Sequence, residues 1–451
     1  MGHTVFGQKD YVFKRYSTDQ GISNNFISDI IQDKYGFIWL ATASGLNRFN
    51  GLNFEKLETV HQDSAATIGR VINCLELDYA LQLWVGTENG LFSFDYPSKV
   101  FSHFPLPDQR SAAVQAIGFA SEHSLWIGTG HGLYHIDLQS GQYQHYLSAD
   151  SANALVNNNI LSLLIDSRGW VWAGTDQGLS VFDPQKQNFK HIAMDRQYPG
   201  RGIVGNFVRK IIEDKQGNIW IGAAGLNSGI SCYNSQTGGF SHYQNIAGED
   251  QSLINNGVFA LAFDDEGRLW AGTDEGLDVI DIENNSFSHI KHDPSKSTSL
   301  TLDIVKSIFK DKDGRMWVGT FGGLNLWDKN ANAFHMVGTG PSYSKNLIHG
   351  YVKCFANSSM GGFWIGMDGG GYSFSGQKQE NLNTINAKVP LPTNRPAIKY
   401  WRSAKSLAKV CGSVIGMQGS TFMILKRAHT IISDPIHLIR HPSTIPIFSI
   451  F

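Results

Sequence analysis

Short alternations of apolar and polar residues, separated by tight turns, run through residues 11–375. A tryptophan-centred segment recurs eight times along this stretch, at intervals of 42 to 50 residues. The tryptophans are Trp39, Trp84, Trp126, Trp172, Trp220, Trp270, Trp317 and Trp364. A period in the forties, with four short strand-like segments in each copy, is typical of propeller blades. The pattern therefore predicts an all-β fold, a β-propeller of four-stranded blades.

Positions at a fixed distance from the repeated tryptophan form columns across the eight copies, and these columns predict a strand and two turns. A β-branched residue stands twelve positions before every tryptophan and indicates a buried first strand. Asp six positions before and Gly three positions before, each in six copies, predict a turn rather than a calcium loop, because further oxygen ligands at regular spacing are absent. The glycines of the following G-T-x-x-G-L text predict a close approach to a neighbouring sheet and a second hairpin.

The third and fourth strands are predicted from a G-L-x-x-F segment and an aromatic alternation that ends each unit, the seventh at FHMVG, residues 334–338. Histidines recur in this last column, which we expect on outer strands, too far apart for a metal site. A lone strand-like segment, YVFKRYS at 11–17, precedes the first unit. It is predicted to complete the last blade and close the ring.

The string ISNNFISDIIQDKYGFIWLATASGLNRFNG at 22–51 resembles the two-component-regulator propeller repeats, found in the sensor region of bacterial hybrid histidine kinases and related signalling proteins. The resemblance implies two successive seven-bladed propellers, an immunoglobulin-like domain, a membrane span and a cytoplasmic output module in a full-length member. Seven blades are favoured for residues 11–338, with residues 339–375 as a partial or closing eighth blade. An eight-bladed ring is the alternative.

Charge separates the end of the chain from the rest. The net charge is −2, but residues 376–451 hold ten Lys or Arg and two Asp or Glu, so the remainder is acidic and not expected to bind nucleic acid. The segment 376–451 shows no recognisable domain. We interpret it as the replacement of a missing native continuation, with a basic interaction tail as the alternative. The four scattered cysteines are expected to be thiols rather than ligands or a disulfide framework.

The compartment is left open by the sequence. The beginning of the chain shows no secretory signal peptide, which indicates a cytoplasmic protein if that start is genuine, whereas the family resemblance implies the periplasm. The apolar stretch 410–425 is short and interrupted by Gln418 and glycines, so no membrane span is predicted.

Recognition is expected on the face that carries the loops between blades and the G-T-x-x-G-L turns, around the mouth of the central channel. The candidate ligand-binding residues are the inner-strand positions Asn25, Arg70, Asn158, Asn206, Asn256, Asp303, Arg209 and Lys306 and the turn residues Asp176, Gln177, Asp274, Glu275 and His131. For the asparagines, a structural role at the strand entry is the competing interpretation.

The function predicted from these features is non-catalytic ligand sensing or interaction within a signalling protein. The partner would be a small molecule, an oligosaccharide, a peptide or a signalling protein, and no cofactor, metal or catalytic residue is predicted. A pure protein-interaction scaffold is one alternative. A lyase or hydrolase resembling streptogramin lyase is the other, and it would need His131 or His61 to meet a carboxylate across blades.

Overall fold

The computed structural model describes residues 11–57, 69–108, 113–149, 154–195, 199–225, 227–330, 334–337, 351–357, 363–367, 371–375, 383–385 and 422–425. Strands dominate these residues, and 3-10 turns occur at Thr18–Gln20 and Pro199–Arg201. One structural unit extends to Lys329 and a second begins at Asn330. The first contains seven four-stranded antiparallel sheets arranged as the blades of a propeller.

Blades 1 to 6 each use four consecutive strands, from the innermost to the outermost. Blade 1 contains β2 (Ile27–Gln32), β3 (Ile38–Thr42), β4 (Gly45–Phe49) and β5 (Phe54–Lys56), and blade 2 contains β6 (Ile72–Leu77), β7 (Leu83–Thr87), β8 (Gly90–Asp95) and β9 (Val100–Phe104). Blade 3 contains β10 (Val114–Ser121), β11 (Ser124–Thr129), β12 (Gly132–Asp137) and β13 (Tyr143–Tyr146), and blade 4 contains β14 (Ile160–Ile165), β15 (Val171–Thr175), β16 (Leu179–Asp183) and β17 (Asn188–Ile192). Blade 5 contains β18 (Phe207–Glu213), β19 (Ile219–Ala224), β20 (Gly229–Tyr233) and β21 (Phe240–Tyr243), and blade 6 contains β22 (Val258–Phe263), β23 (Leu269–Thr273), β24 (Leu277–Asp281) and β25 (Ser286–Ile290).

Blade 7 is built from both ends of the propeller segment. Strand β1 (Phe13–Tyr16) pairs antiparallel with β28 (Gly323–Trp327), which continues through β27 (Met316–Thr320) to the inner strand β26 (Val305–Lys310). The Ser307 hydroxyl then donates to the carbonyl of Ile27 in blade 1, at 3.0 Å. The predicted closure by residues 11–17 is therefore confirmed, and so are the seven blades, because blade 7 joins blade 1 directly.

Two details of the prediction need correction. The eight-bladed ring is wrong, since no place is left for another blade between β26 and β2. The segment FHMVG was predicted as the outer strand of the seventh unit, but β1 occupies that position. Instead β29 (Phe334–Val337) pairs with β34 (Phe422–Leu425). The proposed domain boundary at residue 338 stays a prediction.

The repeated tryptophans form the contacts between blades. Each of the first seven packs its indole into the core of the following blade: Trp39, for example, lies among Ile72, Leu75 and Phe94 of blade 2. Trp317 of blade 7 packs among residues of blade 1, so the ring contains seven equivalent interfaces. Burying a residue of this size removes a large apolar surface from water at each interface.

The glycine two positions after the tryptophan allows the next blade to approach. At Gly272 a Cβ would lie only 2.5 Å from Val305 Cγ1, and at Gly174 it would lie 2.6 Å from Val208 Cγ1. Both valines belong to the β-branched column predicted for the first strand. The two columns are thus partners across the blade interface, which explains why they recur together.

The recurring aspartate does more than form a turn. In blade 1, Asp33 Oδ1 accepts from the N–H groups of Tyr35 and Phe37, as the turn interpretation requires, while Oδ2 accepts from Trp39 Nε1 at 2.8 Å. The same bond from the indole to the aspartate recurs in blades 2, 4, 5, 6 and 7. One carboxylate therefore fixes the hairpin and orients the indole that packs on the next blade. In blade 3 Ala120 replaces it, and Trp126 stacks on His135 with ring centroids 4.2 Å apart.

The second unit contains another four-stranded sheet in its described residues. It consists of β30 (Val352–Asn357), β31 (Phe363–Met367), β32 (Gly371–Ser375) and β33 (Asn383–Ile385), paired in that order. Cys354 is disulfide-bonded, contrary to the expectation of thiols, whereas Cys74 and Cys232 of the propeller are free thiols. The predicted basic tail lies outside the described residues apart from 383–385 and 422–425.

Candidate functional site

The beginnings of the inner strands and the turns between second and third strands lie side by side. The N–H groups of Glu88, Asp274 and Phe321, each in such a turn, donate to carbonyls at the start of the inner strand of their own blade, at 3.2 Å in each case. The turns are held in shape by the repeated threonine: Thr273 Oγ1 donates to the Gly276 carbonyl and accepts from the Glu275 N–H. One face of the propeller therefore presents both predicted groups of recognition residues around the channel mouth.

Two cations and three aromatic rings meet at the start of three successive inner strands. We call Phe207, Arg209, Phe259, Lys306 and Phe321 the basic–aromatic cluster. The guanidinium carbon of Arg209 lies 4.2 Å from the centroid of Phe207 and 5.8 Å from that of Phe259. Lys306 Nζ lies 2.9 Å from the centroid of Phe259 and 5.3 Å from that of Phe321. Blades 5, 6 and 7 thus share one site.

The carboxylate that faces these cations is Asp274. Its Oδ1 lies 3.4 Å from Lys306 Nζ, and the aspartate side chain is 47% exposed while that of the lysine is 16% exposed. Burial lowers the pKa of both Arg209 and Lys306, and the charge of Asp274 opposes this effect. Arg209 Nε is buried and has no hydrogen-bond partner among the described residues. The cluster therefore holds more positive than negative charge in a half-buried position.

A second group links blades 3 and 4 at the same level. Gln115 Nε2 donates to Asn159 Oδ1 at 3.2 Å, and Asn159 Nδ2 donates to Asp176 Oδ2 at 3.2 Å. Asp176 Oδ1 is buried and lacks a hydrogen-bond partner within the part of the chain that the structure describes. The predicted residue Asp176 therefore belongs to a hydrogen-bonded group that joins blades 3 and 4.

The predicted asparagine column is engaged with the backbone. The side-chain oxygens of five of its members accept from N–H groups in the loop that precedes their own strand. The pairs are Asn25 with Thr18, Asn158 with Ser148, Asn206 with Met194, Asn256 with Asn245 and Asp303 with His292. These bonds give the asparagines a structural role at the strand entry, which is the competing interpretation to ligand binding. That any of these residues also contacts a ligand stays a prediction.

The remaining predicted residues lie around the mouth without joining the basic–aromatic cluster. Gln177 and His131 are exposed, and each donates its backbone N–H to the threonine of its own turn. Glu275 Oε1 accepts from Asn255 Nδ2 at 3.0 Å, and its Oε2 lies 3.7 Å from Lys291 Nζ. Arg70 is exposed, and its N–H donates to Glu88.

Further along the inner strands, ionisable side chains shift the pKa values of Asp29 and Glu76. Burial raises the pKa of Asp29 and raises that of Glu76 to about 7, with the charge of Asp29 adding to the effect on Glu76. The positive charge of Lys210 lowers both pKa values. Asp29 also accepts from the Leu75 N–H at 2.8 Å and so bridges blades 1 and 2.

Sequence reasoning missed three of the aromatic residues at the mouth. Phe207 and Phe26 occupy the position thirteen residues before the tryptophan, and Phe259 occupies the polar column two positions later. Phe26 packs against Phe321 with centroids 4.9 Å apart. The signal was present in the columns, but only their polar members were candidates for binding. Which aromatic residue meets which cation depends on the order of blades in the ring.

The outer-strand histidines lie where they were predicted. His145, His191, His242 and His289 are on β13, β17, β21 and β25, where they bond to groups on the adjacent strand or turn. Within the described residues, no three His, Cys, Asp or Glu side chains are grouped so that they could hold a metal ion. No helix there is long and apolar enough to cross a membrane.

The fold is that of a seven-bladed β-propeller. Five stretches, residues 21–44, 154–177, 202–225, 252–275 and 299–322, match the family model described as two component regulator propeller. These stretches are two-component-regulator propeller repeats, and they lie in blades 1, 4, 5, 6 and 7.

Similar proteins agree with this assignment. A segment of 57 residues, 13% of this chain, is 37% identical to "Histidine kinase P4" of Formosa agariphila, of which it covers 4%. The extracellular domain of the putative hybrid two component system BT3049 from B. thetaiotaomicron is similar with a TM-score of 0.62 at 27% identity, covering 84% of this chain and 50% of that one. The chain therefore spans about half of that extracellular domain.

A streptogramin B lyase structure shows the same fold, with a TM-score of 0.53 at 13% identity over 70% of this chain and 97% of that one. This likeness concerns the fold alone. His131, one candidate for a lyase mechanism here, donates its N–H to Thr129 and accepts at its carbonyl from His145, and His61 lies outside the described residues.

Proposed function

We propose that this propeller is a non-catalytic ligand sensor of a bacterial two-component-type signalling protein, and that its ligand binds over the channel mouth at the basic–aromatic cluster. The observation that carries the proposal is the pair of half-buried cations, Arg209 and Lys306, which both lie near the Phe259 ring. Charged groups held away from water need a compensating partner, and Asp274 supplies one negative charge for two positive ones.

The position of the cluster supports the same conclusion. Arg209 and Lys306 belong to a polar column of the inner strands, and other members of that column are hydrogen-bonded to the next blade. Ser28 donates to the carbonyl of Ile72, and Asn73 donates to that of Val114. Arg209 and Lys306 instead project onto aromatic surface. A concave mouth with a few polar groups among apolar side chains is the usual form of a small-molecule site.

The proposal includes a location and a mode of action. The similarity to an extracellular domain of a hybrid two-component system favours a periplasmic or extracellular site of action. A sensor without catalysis changes the population of two states by binding one of them more tightly, and it passes that change to another module or protein.

A ligand screen tests this function. The propeller is heated with a panel of neutral and charged sugars, short peptides and metabolites, because binding to the folded state raises its melting temperature. The proposal expects a saturable increase that Arg209→Gln abolishes. Turnover of a panel member without an added partner would support the lyase instead, and no saturable ligand would favour a protein-interaction scaffold.

A further inference from the structure

We infer that the ligand of the channel mouth is an organic anion, a carboxylate or sulfate group carried on a ring. This inference rests on the proposed function and names the class of ligand. Its first basis is charge. Arg209 and Lys306 both lie near the Phe259 ring, and each is a half-buried hydrogen-bond donor at the same mouth.

The second basis is the unused hydrogen-bonding capacity of Arg209. Its Nε is buried without a partner in the described part of the chain, although its guanidinium is held by Phe207 and Phe259. A guanidinium presents its donors as a rigid planar fork, which matches two oxygens of one carboxylate or sulfate group. An anion bound there would accept the hydrogen bond that Arg209 Nε would otherwise donate to water.

The third basis is the apolar surface beside the cations. Phe321 is 41% exposed and packs against Phe26, so that a pair of rings borders the cluster on the blade 1 side. A bare inorganic anion would leave this surface in contact with water. An anionic group attached to a ring would use both features, with the charge at Arg209 and Lys306 and the ring on Phe321.

Asp274 makes the inference specific. Its carboxylate already pairs with Lys306 but is nearly half exposed, so it competes with an incoming anion rather than neutralising the site completely. Removing this charge while keeping the shape, in Asp274→Asn, is expected to tighten anion binding several-fold. The same change would weaken a cationic ligand, so the direction of the effect reports the charge of the ligand.

Calorimetric titration with matched probes tests the inference. Benzoate is compared with benzamide, and glucuronate with glucose, so that each pair shares its ring and differs in charge. Sodium sulfate provides the charge without a ring. We expect saturable binding by at least one ring-bearing anion and at least tenfold weaker binding by its neutral partner. The arms distinguish an aromatic acid from an acidic sugar.

Variants locate the binding. Arg209→Gln and Lys306→Met should each weaken the anion at least tenfold, whereas Lys186→Met should not, because Lys186 is 71% exposed in the turn between β16 and β17. Phe321→Ala should weaken the ring-bearing anion and leave sulfate unchanged. Near-ultraviolet circular dichroism checks that each variant is folded.

Three results would overturn the inference. The first is equal binding of charged and neutral partners at the mouth, which leaves the sensor function intact but refutes the anionic class. The second is binding that Arg209→Gln and Lys306→Met do not change. The third is sulfate binding as tightly as the ring-bearing anions, which would assign the site to an inorganic anion. Failure of the ligand screen as a whole would refute the sensor function itself.

Discussion

The carboxylate of Asp33 is predicted to stabilise the interface between blades 1 and 2 through the indole of Trp39. Both residues are fully buried, and the carboxylate accepts from Trp39 Nε1 and from the N–H groups of Tyr35 and Phe37. A hydrogen bond to a charged group contributes about 1.5–3 kcal/mol, and leaving buried donors unpaired adds to the loss. Asp33→Ala should therefore lower the free energy of unfolding by about 3–5 kcal/mol.

The contribution of the indole bond can be separated from that of the turn. In Asp33→Asn the Oδ1 atom still accepts from the turn, but an amide N–H faces the indole N–H, so the loss should be about 2 kcal/mol. A double-mutant cycle combines Asp33→Ala with Trp39→Phe, which removes the indole donor. We expect a coupling energy of about 1.5–3 kcal/mol, measured by urea unfolding followed by circular dichroism.

Blade 3 provides the matched control. Ala120 stands at the position of the aspartate there, so Trp126→Phe should cost packing energy and no carboxylate bond. If the Asp33 and Trp39 changes are additive within about 0.5 kcal/mol, the indole bond contributes nothing measurable and the predicted stabilisation is refuted. An equally strong coupling between Trp126→Phe and Ala120→Ser would refute it as well, because no carboxylate is present in that pair.

Other predictions concern packing, closure and pH. Gly272→Ala should destabilise by about 1–3 kcal/mol because its methyl group would meet Val305, whereas Ala41→Gly at the equivalent position of blade 1 should cost no more than about 1 kcal/mol; equal losses in urea unfolding would contradict the close approach. Phe13→Ala should cost about 3–5 kcal/mol and speed proteolysis of the propeller, and an unchanged cleavage rate would argue against closure by β1. Because burial raises the pKa of Glu76 from 4.5 to about 7, its contribution to stability is present below pH 4.5 and is lost as the pH rises through 7. Glu76→Gln should remove up to about 3 kcal/mol of this loss, so the difference in free energy of unfolding between the variant and the native protein should grow between pH 5 and pH 8. A difference that does not change with pH would refute this prediction.

The fold could be predicted from the sequence because each blade repeats the same local instructions. Gly169 takes the positive φ of the first turn at 82°, and Gly178 that of the second at 126°, as their columns indicated. The offset of the lone segment 11–17 likewise predicted ring closure. Spacing could not show that Asp166 bonds to Trp172, because a recurrent separation of six residues is equally compatible with a turn alone.

The candidate site was only partly predictable. Arg209, Lys306 and Asp274 were identified as polar residues at the channel mouth. The repeats, however, do not show which residues of different blades come together. Their meeting at Phe259 depends on three successive blades and on side-chain directions that periodicity does not specify. The asparagine column illustrates the converse. Its regularity indicated a shared role. The structure shows that Asn158 and Asn206 each fix the loop that precedes their own strand.

The closure of blade 7 has a consequence for folding during synthesis. Phe13 is synthesised before every blade, yet its strand partner Trp327 is made only after six complete blades. The hydrogen-bonding edge and apolar side chain of β1 must therefore remain unpaired for most of translation, and the final loop closure spans the whole ring. We expect this step to be late and slow, so that a factor that shields one extended strand would matter more for this protein than any help in folding a single blade.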